Sequence, residues 1–201
     1  MYNYKDYYYK KAKKDRYKAR SIYKLEEIDK KYSIIKKNDF VLDIGCAPGS
    51  FLQYISRKIG KQGRLLGIDL KKVDIDLSNT KTYICDINDT KKLDNILDIN
   101  NIKYFDCIVS DMAPNTTGIK SKDQYESYVL NMQVISIVQK YLKKNGNIVI
   151  KIFMSEYVKS LYKKLESAFN FVKKYKPKAT RSSSFEFYII AKEYKGFDIL
   201  K

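Results

Sequence analysis

Lys151 stands inside an otherwise apolar run, Asn147 to Phe153. An ammonium there is costly unless it is paired or given a task, such as orienting or deprotonating a hydroxyl. The alternative is a strand-end lysine reaching out to solvent, and the functional reading is preferred. Asp111 closes a second buried run, Tyr104 to Ser110, and opens the loop Met-Ala-Pro-Asn. Asp69 ends the run Arg64 to Ile68, and Asp86 follows the short run Tyr83 to Cys85. An acid ending the second strand of a nucleotide-type fold commonly bonds ribose hydroxyls, and one after the third could accept from an adenine amino group. Either could also be a turn former, Asp86 above all, since Asn88 and Asp89 follow it. The chain has no His, which excludes histidine-based triads, HExxH metal sites and imidazole bases.

These side chains need a frame, and Phe40 to Ser50 is its first piece: an apolar run, then Gly45, Ala47, Pro48 and Gly49, then Ser50. Ser50 and Gln53 have the spacing of a capping box, so a helix is predicted from Ser50 to Gly60. Strand, loop and helix make a first βα turn whose ligand sits beyond the strand's carboxyl end. The loop lacks the G-x-G-x-x-G spacing that brings backbone close to a pyrophosphate, so a ligand without phosphate, such as S-adenosylmethionine, fits it better. By itself the stretch serves equally as a plain strand-to-helix turn. Further helices are predicted over Ala19–Tyr32, Gln124–Leu142 (opened by Asp123 and Glu126, closed by Lys143 to Gly146) and Ser155–Phe169. The remaining strands are Phe171–Tyr175 and Phe185–Ala191. Ile22, Leu25 and Ile28 dock the first helix, and Lys24 off that stripe reads as a solvated lysine. Glu186 faces away from Phe185, Phe187 and Ile189 and could simply neutralise nearby lysines. The whole is one α/β domain over residues 1–201, a mostly parallel sheet with helices on both faces.

The chain has 201 residues, with 40 Lys+Arg against 23 Asp+Glu. That balance favours a polyanion, nucleic acid before membrane, although biased composition would also produce it. Residues 1–37 carry thirteen Lys or Arg and five Asp or Glu, with Tyr4, Tyr7, Tyr8, Tyr9 and Tyr17 interleaved. Lysines for phosphates and tyrosines for stacking suit single-stranded RNA. Cys46, Cys85 and Cys107 are widely spaced, so no metal site is expected and the thiols fit core packing in a reducing compartment. No stretch approaches the length of a membrane span.

Five motifs in order resemble the FtsJ/RrmJ ribose 2′-O-methyltransferases: Ala-Arg-Ser-Ile-Tyr-Lys-Leu at 19–25, Leu-Asp-Ile-Gly-Cys-Ala-Pro-Gly at 42–49, Ser-Asp-Met-Ala-Pro-Asn at 110–115, Val-Ile-Lys-Ile-Phe at 149–153 and Arg-Ser-Ser-Ser-Phe-Glu at 181–186. The resemblance implies a Rossmann-like methyltransferase fold of seven strands, the last inserted antiparallel. It implies methyl transfer from S-adenosylmethionine to a ribose 2′-hydroxyl. It puts a catalytic tetrad on Lys24, Asp111, Lys151 and Glu186, and cofactor contacts on Gly45, Ala47, Pro48, Gly49, Phe51, Asp69, Asp86 and Asp111. The family usually has Trp where this chain has Phe51, which loses an indole hydrogen bond. With no histidine the expected base is Lys151, made neutral by burial and by the charge of Lys24 against the opposing pull of Asp111, or else Lys151 only orients the hydroxyl. Lys24 and Glu186 would position the ribose and its phosphate. By this resemblance Ser-Asp-Met-Ala-Pro-Asn implies a uridine ribose in large-subunit ribosomal RNA, with tRNA as the alternative substrate, and the enzyme is expected to act as a monomer. A non-catalytic RNA-binding protein, an NAD-linked oxidoreductase and a small-molecule methyltransferase are the rival classes.

Overall fold

The structure is a computed structural model that describes residues 4–196 and Ile199, with side chains described from Tyr7 onward. The chain runs α1 (Tyr4–Lys14), α2 (Ile22–Tyr32), β1 (Phe40–Ile44), α3 (Ser50–Ile59), β2 (Arg64–Asp69), β3 (Thr80–Ile84), α4 (Thr90–Ile99), β4 (Phe105–Ser110), α5 (Lys120–Tyr141), β5 (Leu142–Phe153), α6 (Val158–Ala168), β6 (Phe169–Tyr175) and β7 (Glu186–Tyr194). One sheet of order β3-β2-β1-β4-β5-β7-β6 holds every strand. β7 inserts between β5 and β6, antiparallel to both, and the other pairings are parallel.

Strand alternation sorts the apolar side chains onto two faces. Leu42, Ile108, Ile150 and Ile189 pack under α4, α5 and α6. Val41, Val109, Val149 and Ile190 pack under α2 and α3. Residue 151 belongs to the second face by parity, so the α2 side is where polar chemistry can be placed. α2 is fixed there by buried Asp29, whose Oδ1 accepts from the backbone N–H of Ile34 and Ile35 at 2.9 and 2.8 Å. Its Oδ2 accepts from the Tyr54 hydroxyl of α3 at 2.7 Å and meets Lys58 at 3.0 Å. A buried carboxylate so fully satisfied locks two helices together.

Several sequence expectations shift. Ser50 is not a cap: Gly49 takes the N-cap position at φ 106 without a side-chain bond. The Ser50 hydroxyl instead meets that of Ser21 at 2.7 Å, and Gln53 bonds the Lys18 N–H and the Arg16 carbonyl, tying the N-terminal segment to α3. The capping-box residues are spent on tertiary contacts. α5 opens at Lys120, so Asp123 lies inside it and reaches back to hold Thr117 and Gly118. β5 begins directly at Leu142, carrying Lys143 to Gly146 through a register shift where a helix-ending loop is predicted. β3 starts at Thr80 and ends before Cys85, α6 opens at Val158, and α4, capped by Asp89, has no counterpart in the sequence reading. α1 packs Tyr8 on Tyr23, a ring that also meets Tyr17. Two of the interleaved tyrosines are therefore structural, Tyr7 and Tyr9 remain exposed, and the Tyr4 side chain lies outside the described residues.

Candidate active site

The parallel register aligns Ser110 with Ile150, which brings Asp111 beside Lys151 at the carboxyl ends of β4 and β5. The Lys151 ammonium is 3.0 Å from Asp111 Oδ1 and also donates to the Asp111 carbonyl. The antiparallel register pairs Lys151 with Tyr188, and the Tyr188 hydroxyl donates to the same Oδ1 at 2.6 Å. Burial, then Asp111, pushes that phenol well above its ordinary range, so it stays a neutral donor. Two residues back on the same face, Glu186 is paired with Lys24. Lys24 is 8 % exposed, as is Lys151. The solvated-lysine reading of Lys24 is thus corrected: the start of β7 covers that side of α2 and buries the lysine against an acid. All four tetrad positions come together on the α2 side of the sheet as two ion pairs, two residues apart along the β5–β7 register.

Sequence reasoning overlooked the groups that hold this arrangement. Asn131 of α5 donates to the Lys151 carbonyl at 3.0 Å, and Ser127 accepts from the Phe153 N–H at 3.1 Å. Both are polar residues on a helix face that periodicity assigns to packing. Tyr188 was legible only as a strand residue.

On the other side lies the loop after β1. Gly45 and Cys46 donate to the Ile68 carbonyl, and the Ala47 N–H donates to Asp69 Oδ2 at 2.9 Å. Gly45 has φ 78, and a Cβ there would collide with the Met112 side chain. Pro48 and Gly49 complete the turn, whose Gly49 φ of 106 again requires glycine. Asp69 uses its second oxygen on the Lys71 N–H at 2.9 Å. Asp86 is exposed and accepts from the backbone and side-chain N–H groups of Asn88 through one oxygen, as a turn former does. Phe51 points into the α3 cluster and is buried there, which makes its ring part of the core. Asp43 was not singled out by its sequence context. It is fully buried, and neither carboxylate oxygen has a hydrogen-bond partner among the described residues. Burial first, then Asp111 and Asp69, raises its carboxyl well above the usual range.

Asp69 and Asp111 thus line the carboxyl ends of β2 and β4, on either side of β1 and its buried Asp43. An acid-lined end with no phosphate cradle suits a ligand bearing a sulfonium and an ammonium, and it repels a dinucleotide. The residues present fit S-adenosylmethionine, with the 45–49 loop, Asp69 and Asp111 as the groups that would hold it. Among the described residues no cluster suits a metal ion, and no helix is long and apolar enough to cross a membrane. The three cysteines are all buried and free.

Comparison with known proteins agrees with this geometry. The profile of the FtsJ-like methyltransferases matches residues 17–194. Ribosomal RNA large subunit methyltransferase E of Bdellovibrio bacteriovorus is 39% identical over 189 residues, covering 94% of this chain and 96% of the relative. A Plasmodium falciparum crystal structure described as a ribosomal RNA methyltransferase superposes with a TM-score of 0.77 at 29% identity, covering 90% of this chain and 100% of its own. Aeropyrum pernix fibrillarin, crystallised with S-adenosyl-L-methionine, shares the fold at a TM-score of 0.56 and 17% identity, over 79% of this chain and 68% of its own. The chain belongs to the FtsJ-like methyltransferase family, and it is an enzyme that depends on S-adenosylmethionine.

Proposed function

We propose that this enzyme methylates a ribose 2′-hydroxyl, that of a uridine, in large-subunit ribosomal RNA, acting as a single-domain monomer whose residues 1–37 bind the RNA. The observation that carries the reading is the Lys151–Asp111 pair, joined by Tyr188 and flanked by Lys24–Glu186, beside an acid-lined cofactor end. The relative from Bdellovibrio is named a ribosomal RNA large subunit methyltransferase. The cofactor, when bound, supplies an electrophilic methyl group.

Lys151 spends two of its donor positions on Asp111, and the third can meet the attacking oxygen. In this role it would align the hydroxyl and receive its proton as that oxygen takes up the methyl group the cofactor would supply. Asp111 fixes the direction of Lys151. Lys24 and Glu186 position the ribose. Next to them a pocket of about 380 Å³ is lined by Arg20, Arg181, Ser183 and Ser184. Burial, then the positive charge of Arg181, lowers the Arg20 guanidinium from its usual range. Two guanidiniums line this one pocket, and a backbone phosphate is the RNA group that fits them.

Incubation with methyl-labelled cofactor and either large-subunit particles or tRNA tests the reading. Label in an alkali-resistant, uridine-containing dinucleotide of large-subunit RNA is expected. Label confined to tRNA would replace the substrate, and no transfer to any RNA would overturn the proposal.

A further inference from the structure

We propose that the base of the nucleotide being methylated is drawn from its stack and seated in the open pocket at the carboxyl end of β5, between the start of α5 and the turn after β5. This rests on the RNA reading above and adds where the base goes. The pocket measures about 700 Å³ and is lined by Lys120, Gln124, Met154, Ser155, Glu156 and Phe185 among others, a size that takes a nucleoside-scale ligand.

The pocket begins where the row of ion pairs ends. Phe185 immediately precedes Glu186, its carbonyl accepts from the Met154 N–H at 2.9 Å, and its ring meets that of Phe153 edge-on at 4.7 Å. Phe153 in turn lies opposite Glu186 in the sheet and two residues beyond Lys151. A ribose held at Lys151 and Glu186 therefore has this pocket within the reach of its own base. Reaching the 2′-oxygen of a structured RNA favours a splayed nucleotide, and splayed bases settle on aromatic and polarisable side chains. The Phe185 ring and the Met154 side chain, which is 51% exposed, provide that apolar surface.

The polar lining suits a base edge better than a phosphate. Gln124 donates its amide to the Met154 carbonyl, which leaves its Oε1 as an acceptor. The Lys120 ammonium has no hydrogen-bond or ion-pair partner among the described residues, and the Ser155 hydroxyl is buried without one. An N–H beside a carbonyl, as on the edge that uracil presents, finds one acceptor in Gln124 and one exposed donor in Lys120 here. The Glu156 carboxylate repels a phosphate, whose place is the Arg20–Arg181 pocket across the Lys24–Glu186 pair.

The test uses the full chain and a short oligouridylate carrying 4-thiouridine, irradiated and mapped by mass spectrometry. Crosslinks at Met154 or Phe185 are expected. Crosslinks confined elsewhere, for instance to Tyr8, Tyr23 or Tyr175, would overturn the seat while leaving RNA as substrate. Failure of the oligonucleotide and of large-subunit RNA to bind at all would remove the RNA reading and the seat with it. In addition, Met154→Glu and Gln124→Ala should each lower kcat/KM for large-subunit RNA by roughly tenfold or more, with cofactor affinity and Tm unchanged. Wild-type turnover in both variants would overturn the proposal.

Discussion

The Tyr188 hydroxyl and the Lys151 ammonium meet one oxygen, Oδ1 of Asp111, at 2.6 and 3.0 Å. Two donors on adjacent strands pin that oxygen, so the carboxylate and the ammonium beside it are set in place by the sheet. Preorganised charge of this kind acts without reorganising during the reaction.

Tyr188→Phe keeps the ring in the core and removes only the donor. Asp111 retains Lys151, so the fold and the cofactor affinity should hold while kcat falls by the worth of a charged hydrogen bond, about 1.5–3 kcal/mol. Steady-state kinetics beside a cofactor titration separates these effects. Unchanged kcat would show that Lys151 alone orients the carboxylate.

Lys151→Ala and Asp69→Ala should fail in different ways. The first removes the group facing the acceptor hydroxyl, so transfer should disappear with cofactor binding intact. The second removes the carboxylate that ties Ala47 and should weaken cofactor binding by about 1–3 kcal/mol. Calorimetry on both variants checks the division. Equal affinities for wild type and Asp69→Ala would take Asp69 out of the cofactor site.

Lys24 and Glu186 are nearly buried, with side-chain exposures of 10% and 16%. Removing either leaves the other poorly solvated, so each single alanine variant should lose stability. The double variant should lose less than their sum, with a coupling of about 0.5–3 kcal/mol. Denaturant unfolding of the four proteins measures it, and strict additivity would mean that the pair is held apart in solution.

What the sequence made legible was mostly what period and punctuation encode. β1, β2 and the Gly60 stop of α3 follow from an apolar run ended by Gly or Asp, and the runs that become β2 and β4 lead into Asp69 and Asp111. Lys24 was not legible from spacing, because its burial is imposed by β7, a strand some 160 residues away in the chain. Ser50 and Gln53 obeyed a local rule that tertiary bonds to Ser21, Lys18 and Arg16 overrode. Long-range pairing decided each of these cases, and a local pattern carries no record of it.

RNA binding should depend steeply on salt. The basic N-terminal segment and the Arg20–Arg181 pocket are placed to neutralise several phosphates, each contributing about 0.7 to the slope of log K against log salt for a single strand. Arg181→Ala should reduce that slope by roughly one phosphate. Filter binding across a salt series reads it, and an unchanged slope would move the phosphate elsewhere.

Asp43 should make the protein less stable as pH rises. Its carboxyl is raised by burial, then by Asp111 and Asp69, so the native state holds a proton that the unfolded chain releases above about pH 4. Below that pH both states are protonated and nothing is lost. Above it the native state binds more protons, and stability falls by up to about 1.4 kcal/mol per pH unit until the native carboxyl ionises. Asp43→Asn cannot titrate, so its stability relative to wild type should rise steadily over this window, whatever the fixed cost of a buried amide. Denaturant unfolding of both proteins at about pH 4, 5, 6 and 7 gives the difference directly. Parallel curves would mean that Asp43 is ionised in the native state, its charge then balanced by a group that rearranges toward it.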